Sequence, residues 1–184
     1  VASQFDGFIY NAMNAVALSC LAFVSQNYGA KKFDRIRTVV RQSALIVTVL
    51  GLVMGGVIIL FSKQLCGLLT DDPKIIAIAQ DRLYILASTY FTCGIMDVLS
   101  NFMRGLGKST TAMIVSLSGS CLFRIVWLNS IYLLNPTINM VYIVYPISWV
   151  LTIGVYMIMY FPTLNRAKRE VAETKLEEKE EGSC

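Results

Sequence analysis

The residues with the clearest chemical potential are one acid and its polar neighbours in an apolar stretch. Asp97 is preceded by Tyr90 and Cys93 and followed by Asn101 and Arg104, all three or four residues apart. On a helix this spacing predicts a polar stripe within an arc of roughly 80°. A carboxylate at low dielectric can be neutralised by a proton, a metal cation or an organic cation. The stripe therefore favours a water-filled pathway in which Asp97 holds a cation, with a structural acid tied to a neighbouring helix as the alternative.

Two other apolar stretches carry polar residues at helical spacing. They are Ser116, Ser120 and Arg124 in one stretch and Asp6, Tyr10 and Asn14 in the other. At about 1.5 Å per residue, Arg124 lies roughly 24 Å from Lys108, and Asp6 lies at a similar depth. We therefore predict a structural pair between Asp6 and Arg124, which leaves Asp97 without a fixed partner. Asn14 joins Tyr90, Cys93, Asp97 and Asn101 as a candidate pathway residue.

Composition excludes several kinds of chemistry. The chain has no histidine, and its five cysteines form no C-x-x-C pair. These facts argue against His-based catalysis, a disulfide framework and a zinc site. Gly107-Lys108-Ser109 resembles the end of a phosphate-binding loop, but Phe102 occupies the position where that motif needs its first glycine. We expect no enzymatic activity, no cofactor, no metal centre and no nucleic-acid partner.

The elements that must position these residues are long apolar helices. Of the 184 residues, 55% are hydrophobic and only 15% are charged, against about 25% charged in ordinary soluble domains. Each apolar segment has roughly the 20 residues that cross a bilayer as a helix. The predicted spans are 1–25, 39–61, 83–103, 111–134 and 140–161, followed by a charged tail, 162–184. The fold class is therefore an all-α membrane protein with a bundle of five transmembrane helices, and the lipid bilayer is its first partner.

The charges of the connectors predict the orientation of the spans. The first and third connectors and the tail together hold twelve of the sixteen basic residues. Basic loops remain on the cytoplasmic side of a membrane, so we expect the first span to run inwards and the C-terminus to be cytoplasmic. The mixed charges of the tail are typical of a solvated helix end or of a disordered segment. Five spans that begin outside, without an initial Met, suggest that an N-terminal portion precedes this chain.

Three further residue patterns concern packing. Gly51-Leu-Val-Met-Gly55 is a G-x-x-x-G pattern, which favours close helix approach. Pro146 is expected to bend the fifth span. Tyr142, Tyr145 and Trp149 near one end of that span, and Tyr156 and Tyr160 near the other, resemble interfacial anchors.

A family resemblance is carried by an ordered set of motifs. Phe23-Val-Ser-Gln-Asn-Tyr-Gly-Ala30 resembles the Q-N-x-G-A signature of the multidrug and toxic compound extrusion transporters. The matching signature residues are Gln26, Asn27, Gly29 and Ala30, with Arg104 and Gly105 in a later motif. The remaining resemblance, to one bacterial branch with an acid at the position of Asp6, lies in the segments 5–14, 93–97, 103–109 and 116–127.

The resemblance implies an architecture and an activity. Such transporters have twelve spans in two six-helix lobes, so this chain would supply spans eight to twelve and lack the N-terminal lobe of the same protein. They lie in the bacterial inner membrane and exchange Na⁺ or H⁺ for small cationic organic substrates. In better-known members an acid on span ten binds the coupling cation. Alignment from Arg104 places Cys93 at that position, with Asp97 one turn further on the same face.

Two other functions are compatible with the sequence. The first is a lipid-linked oligosaccharide or polysaccharide flippase of the same superfamily, which would favour a more cationic cavity to hold phosphates. The second is a non-transporting membrane scaffold subunit, in which the intramembrane polar groups serve only packing.

Overall fold

The computed structural model describes residues 2–62, 64, 80, 83–85, 87–134 and 138–181, and their regular structure is helical. The elements are α1 (Ala2–Gly29), α2 (Phe33–Leu60), α3 (Tyr90–Gly105), α4 (Ser109–Leu117), a π-helical turn π1 (Ser118–Leu122), α5 (Phe123–Leu134) and α6 (Ile138–Glu181). The helices α4, π1 and α5 follow one another without a break and form one rod. The predicted second and fourth connectors, around 63–82 and 135–137, lie largely outside the described residues.

The bundle is organised around α3. Helices α1 and α2 pack on each other and on α3, while α6 packs on α3 and on the α4–π1–α5 rod. The core therefore runs along α3, where most residues are buried, including Phe102 and Met103. Many large apolar side chains of α2, the rod and α6 remain exposed, as expected of surfaces that meet lipid.

Within the described residues, three helical stretches are long and apolar enough to cross a membrane: Phe33–Leu60, Ser109–Ser130 and Ile143–Glu173. This confirms the prediction of an all-α membrane protein. Part of the first predicted span lies outside the described side chains, and the third is interrupted by a turn.

The third predicted span, 83–103, is interrupted by a turn in the structure. Residues 83–85 and 87 are helical, a turn follows at Ser88 and Thr89, and the 16-residue helix α3 begins at Tyr90. The side-chain oxygens of Ser88 and Thr89 donate hydrogen bonds to the carbonyl of Ile85, at 3.0 and 2.9 Å. Such local bonds compete with the helical backbone pattern, which explains the turn.

The G-x-x-x-G pattern does mediate close packing. A Cβ atom on Gly51 would lie 2.8 Å from the Cα of Phe91 on α3. One on Gly55 would meet the backbone carbonyl oxygen of Ala87. The two glycines therefore let the backbone of α2 approach the start of α3, as the sequence predicted.

One end of the bundle, which we call the basic end, holds two turns with the same hydrogen-bond pattern. At the end of α1, the Lys31 amide donates to the Tyr28 carbonyl and the Lys32 amide to the Asn27 carbonyl, at 2.9 and 2.8 Å. At the end of α3, the Gly107 and Lys108 amides bond the carbonyls of Arg104 and Met103 in the same way. These are Schellman motifs, which end a helix through a residue of positive φ. Gly107 has φ 77°, whereas α1 ends through a lysine, Lys31, with φ 60°.

Helix α6 continues past the fifth predicted span. It runs through Pro146 and Pro162 to Glu181, so the segment 162–181 is the end of this helix. Leu164 and Ala167 are buried on the bundle, and that apolar contact keeps this part of α6 packed.

We call the segment 162–181 the α6 extension, and two ion pairs lie beside its buried residues. Lys108 Nζ is 3.4 Å from Glu170 Oε1, and Lys168 Nζ is 3.8 Å from Asp34 Oδ1. The extension therefore contacts both turns of the basic end.

Tyr156 is not an interfacial anchor, which corrects another expectation. It is buried, and its hydroxyl donates to the Ala112 carbonyl at 2.8 Å and lies 2.7 Å from Ser116 Oγ. The ring of Tyr160 packs on Phe102, with 4.7 Å between centroids. Both tyrosines instead join α6 to other helices.

Candidate functional site

A cavity of about 470 Å³ lies between α1, α3, π1, α5 and α6. It combines one acid, one base and several aromatic rings. Its lining residues are Gly7, Tyr10, Tyr90, Cys93, Met96, Asp97, Ser120, Arg124, Tyr145 and Trp149. We call it the Asp97 cavity.

Asp97 presents an unsatisfied carboxylate oxygen. Its Oδ2 is buried and has no hydrogen-bond partner among the described residues, although the residue as a whole is only half-buried. A buried carboxylate without a donor or counter-charge is costly, so such groups usually pair with a cation or take up a proton. The Asp97 cavity therefore contains an acid that is available to a ligand.

Arg124 carries the opposite charge in the same cavity, and residues of α6 hold its side chain in place. Its Nε donates to Ser148 Oγ at 3.2 Å, and its Cζ lies 4.2 Å from the centroid of the Tyr145 ring. The Ser148 hydroxyl in turn donates to the Tyr145 carbonyl at 2.8 Å. No ion pair within 4.0 Å joins Arg124 to Asp97 in the described chain. The guanidinium is thus positioned on α6, and both charges border the cavity without cancelling each other.

Three aromatic side chains form a continuous part of the wall. The ring centroids of Tyr145 and Trp149 are 6.2 Å apart in an edge arrangement, and those of Tyr90 and Trp149 are 6.4 Å apart. Aromatic faces attract cations and stack with flat organic molecules. The wall therefore suits an organic cation whose charge reaches Asp97.

The π-helical turn brings the rod close to α6 beside this cavity. A Cβ atom on Gly119 would collide with Thr152 Oγ1, so only glycine permits this approach. The turn comprises Ser118–Leu122, and its Ser120 lines the cavity together with Arg124 of α5 and Asp97 of α3. Such π-helical turns often lie at functional sites.

The structure brings together Tyr90, Cys93 and Asp97 of the predicted pathway residues. Asn101 is buried and does not line the cavity; its Nδ2 donates to the Asp97 backbone carbonyl at 2.9 Å, while its Oδ1 has no described partner. Asn14 is half-buried on α1 and also lies outside the lining. The Asp6 side chain lies outside the described residues, so its pairing with Arg124 remains a prediction.

Sequence reasoning missed the contribution of α6 to this site. Tyr145 and Trp149 line the cavity, and Ser148 holds Arg124. Their i, i+3 and i+4 spacing was a usable signal for one helix face. This spacing alone did not indicate a cavity wall, since aromatic residues near a span end are usually interfacial anchors.

The family-signature residues have structural roles. The carbonyls of Gln26 and Asn27 accept the amides of Ala30 and Lys32, which closes the turn after α1. A Cβ atom on Gly105 would lie 2.6 Å from Val24 Cγ1, so this glycine lets α3 pack on α1. Gly29 is exposed next to the turn, and Arg104 is exposed at the end of α3. None of these six residues lines the Asp97 cavity.

A multi-ligand metal centre is not evident in the described chain. No three residues of the types His, Cys, Asp and Glu come together there. Any cation in the Asp97 cavity would rely on one carboxylate, supplemented by neutral oxygens or aromatic faces.

Two comparisons with known proteins agree with each other. The MatE family matches residues 1–128. A curated relative, "Probable multidrug resistance protein YoeA" from Bacillus subtilis (strain 168), is 25% identical over 117 residues, which are 64% of this chain. The matched region is 25% of that relative, so the chain spans only a fraction of its length. The MatE match includes Asp97, Arg124 and the motifs around them, but it ends before α6. The chain is a multi-pass membrane protein that belongs to the multidrug and toxic compound extrusion (MatE) family.

Proposed function

We propose that this chain forms part of a cation-coupled antiporter that expels cationic organic compounds from the cell. The Asp97 cavity would bind either the coupling ion, Na⁺ or H⁺, or the organic substrate. The single observation that carries this proposal is the buried, unpartnered Oδ2 of Asp97 on a cavity with an aromatic wall. The curated relative is named as a multidrug resistance protein, which supports the same direction.

Exchange follows from competition for one carboxylate. When a proton or Na⁺ neutralises Asp97, a cationic substrate loses its counter-charge and leaves. When the substrate occupies the site, the coupling ion is displaced. The competition produces transport only if the cavity opens to one side of the membrane at a time. We further propose that a second lobe supplies the remaining cavity wall, and that the basic end and the α6 extension lie in the cytoplasm.

The charge of the cavity favours cation export over movement of lipid-linked phosphates. A phosphate carrier would need surplus positive charge at its binding site. In the described part of the cavity the one arginine, Arg124, is matched by one acid, Asp97. Arg124 is also already engaged by Ser148 and the Tyr145 ring. A pure scaffold is disfavoured too, since packing alone gives no reason for a carboxylate oxygen to lack a partner.

The decisive variant is Asp97→Asn, introduced into the intact protein that contains this chain. It keeps the size of the side chain and removes the negative charge. We expect efflux of an aromatic cation such as ethidium to fall at least about tenfold, because a charge interaction of 1.4 kcal/mol or more is lost. The measurement is fluorescence loss from preloaded cells, with protein in the membrane quantified by immunoblot.

The matched control is Glu173→Gln, which removes one carboxylate from an exposed position on the α6 extension. We expect this variant to transport normally. Normal efflux by Asp97→Asn, at equal abundance, would remove Asp97 from the mechanism and contradict the proposal.

A further inference from the structure

A second cavity, of about 650 Å³, lies at the basic end, where α1 turns into α2 beside the α6 extension. Four cationic side chains border it, against one acid, Asp34. These cations are Lys31, Lys32, Arg35 and Lys168. It shares no lining residue with the Asp97 cavity. We call it the basic cavity.

Its positive charge is only partly neutralised. Asp34 pairs with Lys168 at 3.8 Å, and the Lys168 ammonium also lies 5.9 Å from the Phe33 ring centroid. Lys32 and Arg35 form no ion pair with any residue in the described part of the chain. In addition, no side chain caps the first amides of α2, which point towards the same turn. The cavity therefore has the electrostatics of an anion site.

The rest of the lining is apolar and indicates which anion fits. Phe33, Val171 and Ala172 border the cavity together with the cations. A soluble phosphate has no use for apolar walls, whereas a phospholipid brings a phosphodiester beside its glycerol and acyl chains. The cavity also lies at the end of α2, a helix apolar enough to cross the membrane, so its depth matches the headgroup layer.

We propose that the basic cavity binds the headgroup of an anionic phospholipid of the cytoplasmic leaflet. Arg35 and Lys32 hold the phosphate, since a guanidinium can engage two of its oxygens and an ammonium adds a point charge. Lys168 completes the site from α6. A bound lipid therefore bridges the α1–α2 turn and the α6 extension. This inference rests on the membrane orientation proposed above.

The test is native mass spectrometry of the purified intact protein with phosphatidylglycerol or phosphatidylcholine added. Each cation near an anionic headgroup contributes roughly a fivefold change in affinity. We expect the double variant Lys32→Gln/Arg35→Gln to lose phosphatidylglycerol affinity about tenfold or more. The matched control, Arg37→Gln/Arg41→Gln, removes the same charge from α2 at positions that line a separate cavity and not the basic cavity. We expect it to lose less than about twofold.

Three results would overturn the proposal. They are equal binding of the two lipids to the unchanged protein, equal losses in the two double variants, and displacement of the lipid by millimolar glycerol 3-phosphate, which would assign the site to a soluble phosphate. The first two would indicate no site or only diffuse surface charge. Because binding is measured without transport, these outcomes are independent of the Asp97→Asn result. All four substituted side chains are exposed, so the variants are expected to fold.

Discussion

At the scale of single residues, an unsatisfied carboxylate oxygen and a left-handed backbone conformation lie at different places in the protein. The unsatisfied carboxylate is at Asp97, inside the bundle, whereas the positive φ of Lys31 is at the basic end. A lysine in this conformation is strained, because its Cβ crowds the backbone, and glycine is the usual residue at this position of a Schellman motif. Lys31 therefore costs stability, and its charge at the mouth of the basic cavity is a reason to retain it.

Replacing Lys31 tests that strain directly. We expect Lys31→Gly to be more stable than Lys31→Ala by about 1 kcal/mol, because both variants lose the side chain but only glycine relieves the strain. The measurement is thermal unfolding of the two variants in the same detergent. Equal midpoints would show that the left-handed conformation carries no cost here.

At the scale of elements, the sequence predicted helix identity better than it predicted the breaks and contacts of the helices. Apolar length and the Gly51–Gly55 spacing were sufficient to find α2 and its close contact with α3. The turn before α3 and the packing of the α6 extension were not predictable, because each depends on a competition that the sequence does not resolve. At Thr89 a side chain replaces a helical hydrogen bond, and at Pro162 burial of the following turns outweighs the lost backbone bond.

The α2–α3 contact gives a prediction with an internal control. We expect Gly51→Ala to destabilise the protein by about 1–3 kcal/mol, because the new methyl group meets the Phe91 backbone and cannot be accommodated by a side-chain movement. Gly56→Ala on the same helix has open space around its Cβ and should be neutral or slightly stabilising. Unfolding midpoints of the two variants measure the difference. Similar midpoints would contradict the close packing of α2 on α3.

At the scale of the whole molecule, the Asp97 cavity and the basic cavity occupy different places, the first between the helices and the second at the basic end. The sequence predicted the inner one in outline, since the stripe around Asp97 gave three of its lining residues. It did not predict the α6 wall or that Arg124 and Asp97 line the same cavity, because both depend on how the helices pack against one another. Asn101 and Asn14 share the helix faces of the stripe by spacing but lie outside the lining, since helical periodicity defines a direction and not a depth of burial.

The docking of the α6 extension is a prediction at this same scale. Its ion pair with Lys108 involves Glu170, whose side chain is 40% exposed, and exposed pairs contribute at most about 1 kcal/mol. Leu164 is fully buried, and truncating a buried leucine costs about 2–5 kcal/mol. We therefore expect Leu164→Ala to release the extension to limited proteolysis and Glu170→Gln to leave it protected. The reverse order would mean that charge, and not apolar burial, holds the extension.

The central claim is that Asp97 borders a water-filled cavity that takes organic cations. Thiol labelling at two neighbouring positions tests it most directly. Ser120 lines the cavity, whereas Cys121 is exposed on the rod outside the lining. Each is studied as the single cysteine of the intact protein, the first as Ser120→Cys, with a membrane-impermeant methanethiosulfonate reagent.

The account predicts that the thiol from Ser120→Cys reacts, that an aromatic cation slows its reaction at least about fivefold, and that Asp97→Asn abolishes this protection but not the labelling. Cys121, which lies outside the cavity lining, should show no protection by the cation. If the thiol at position 120 were unreactive, or if the cation protected it equally well without the Asp97 carboxylate, the proposed site would be contradicted.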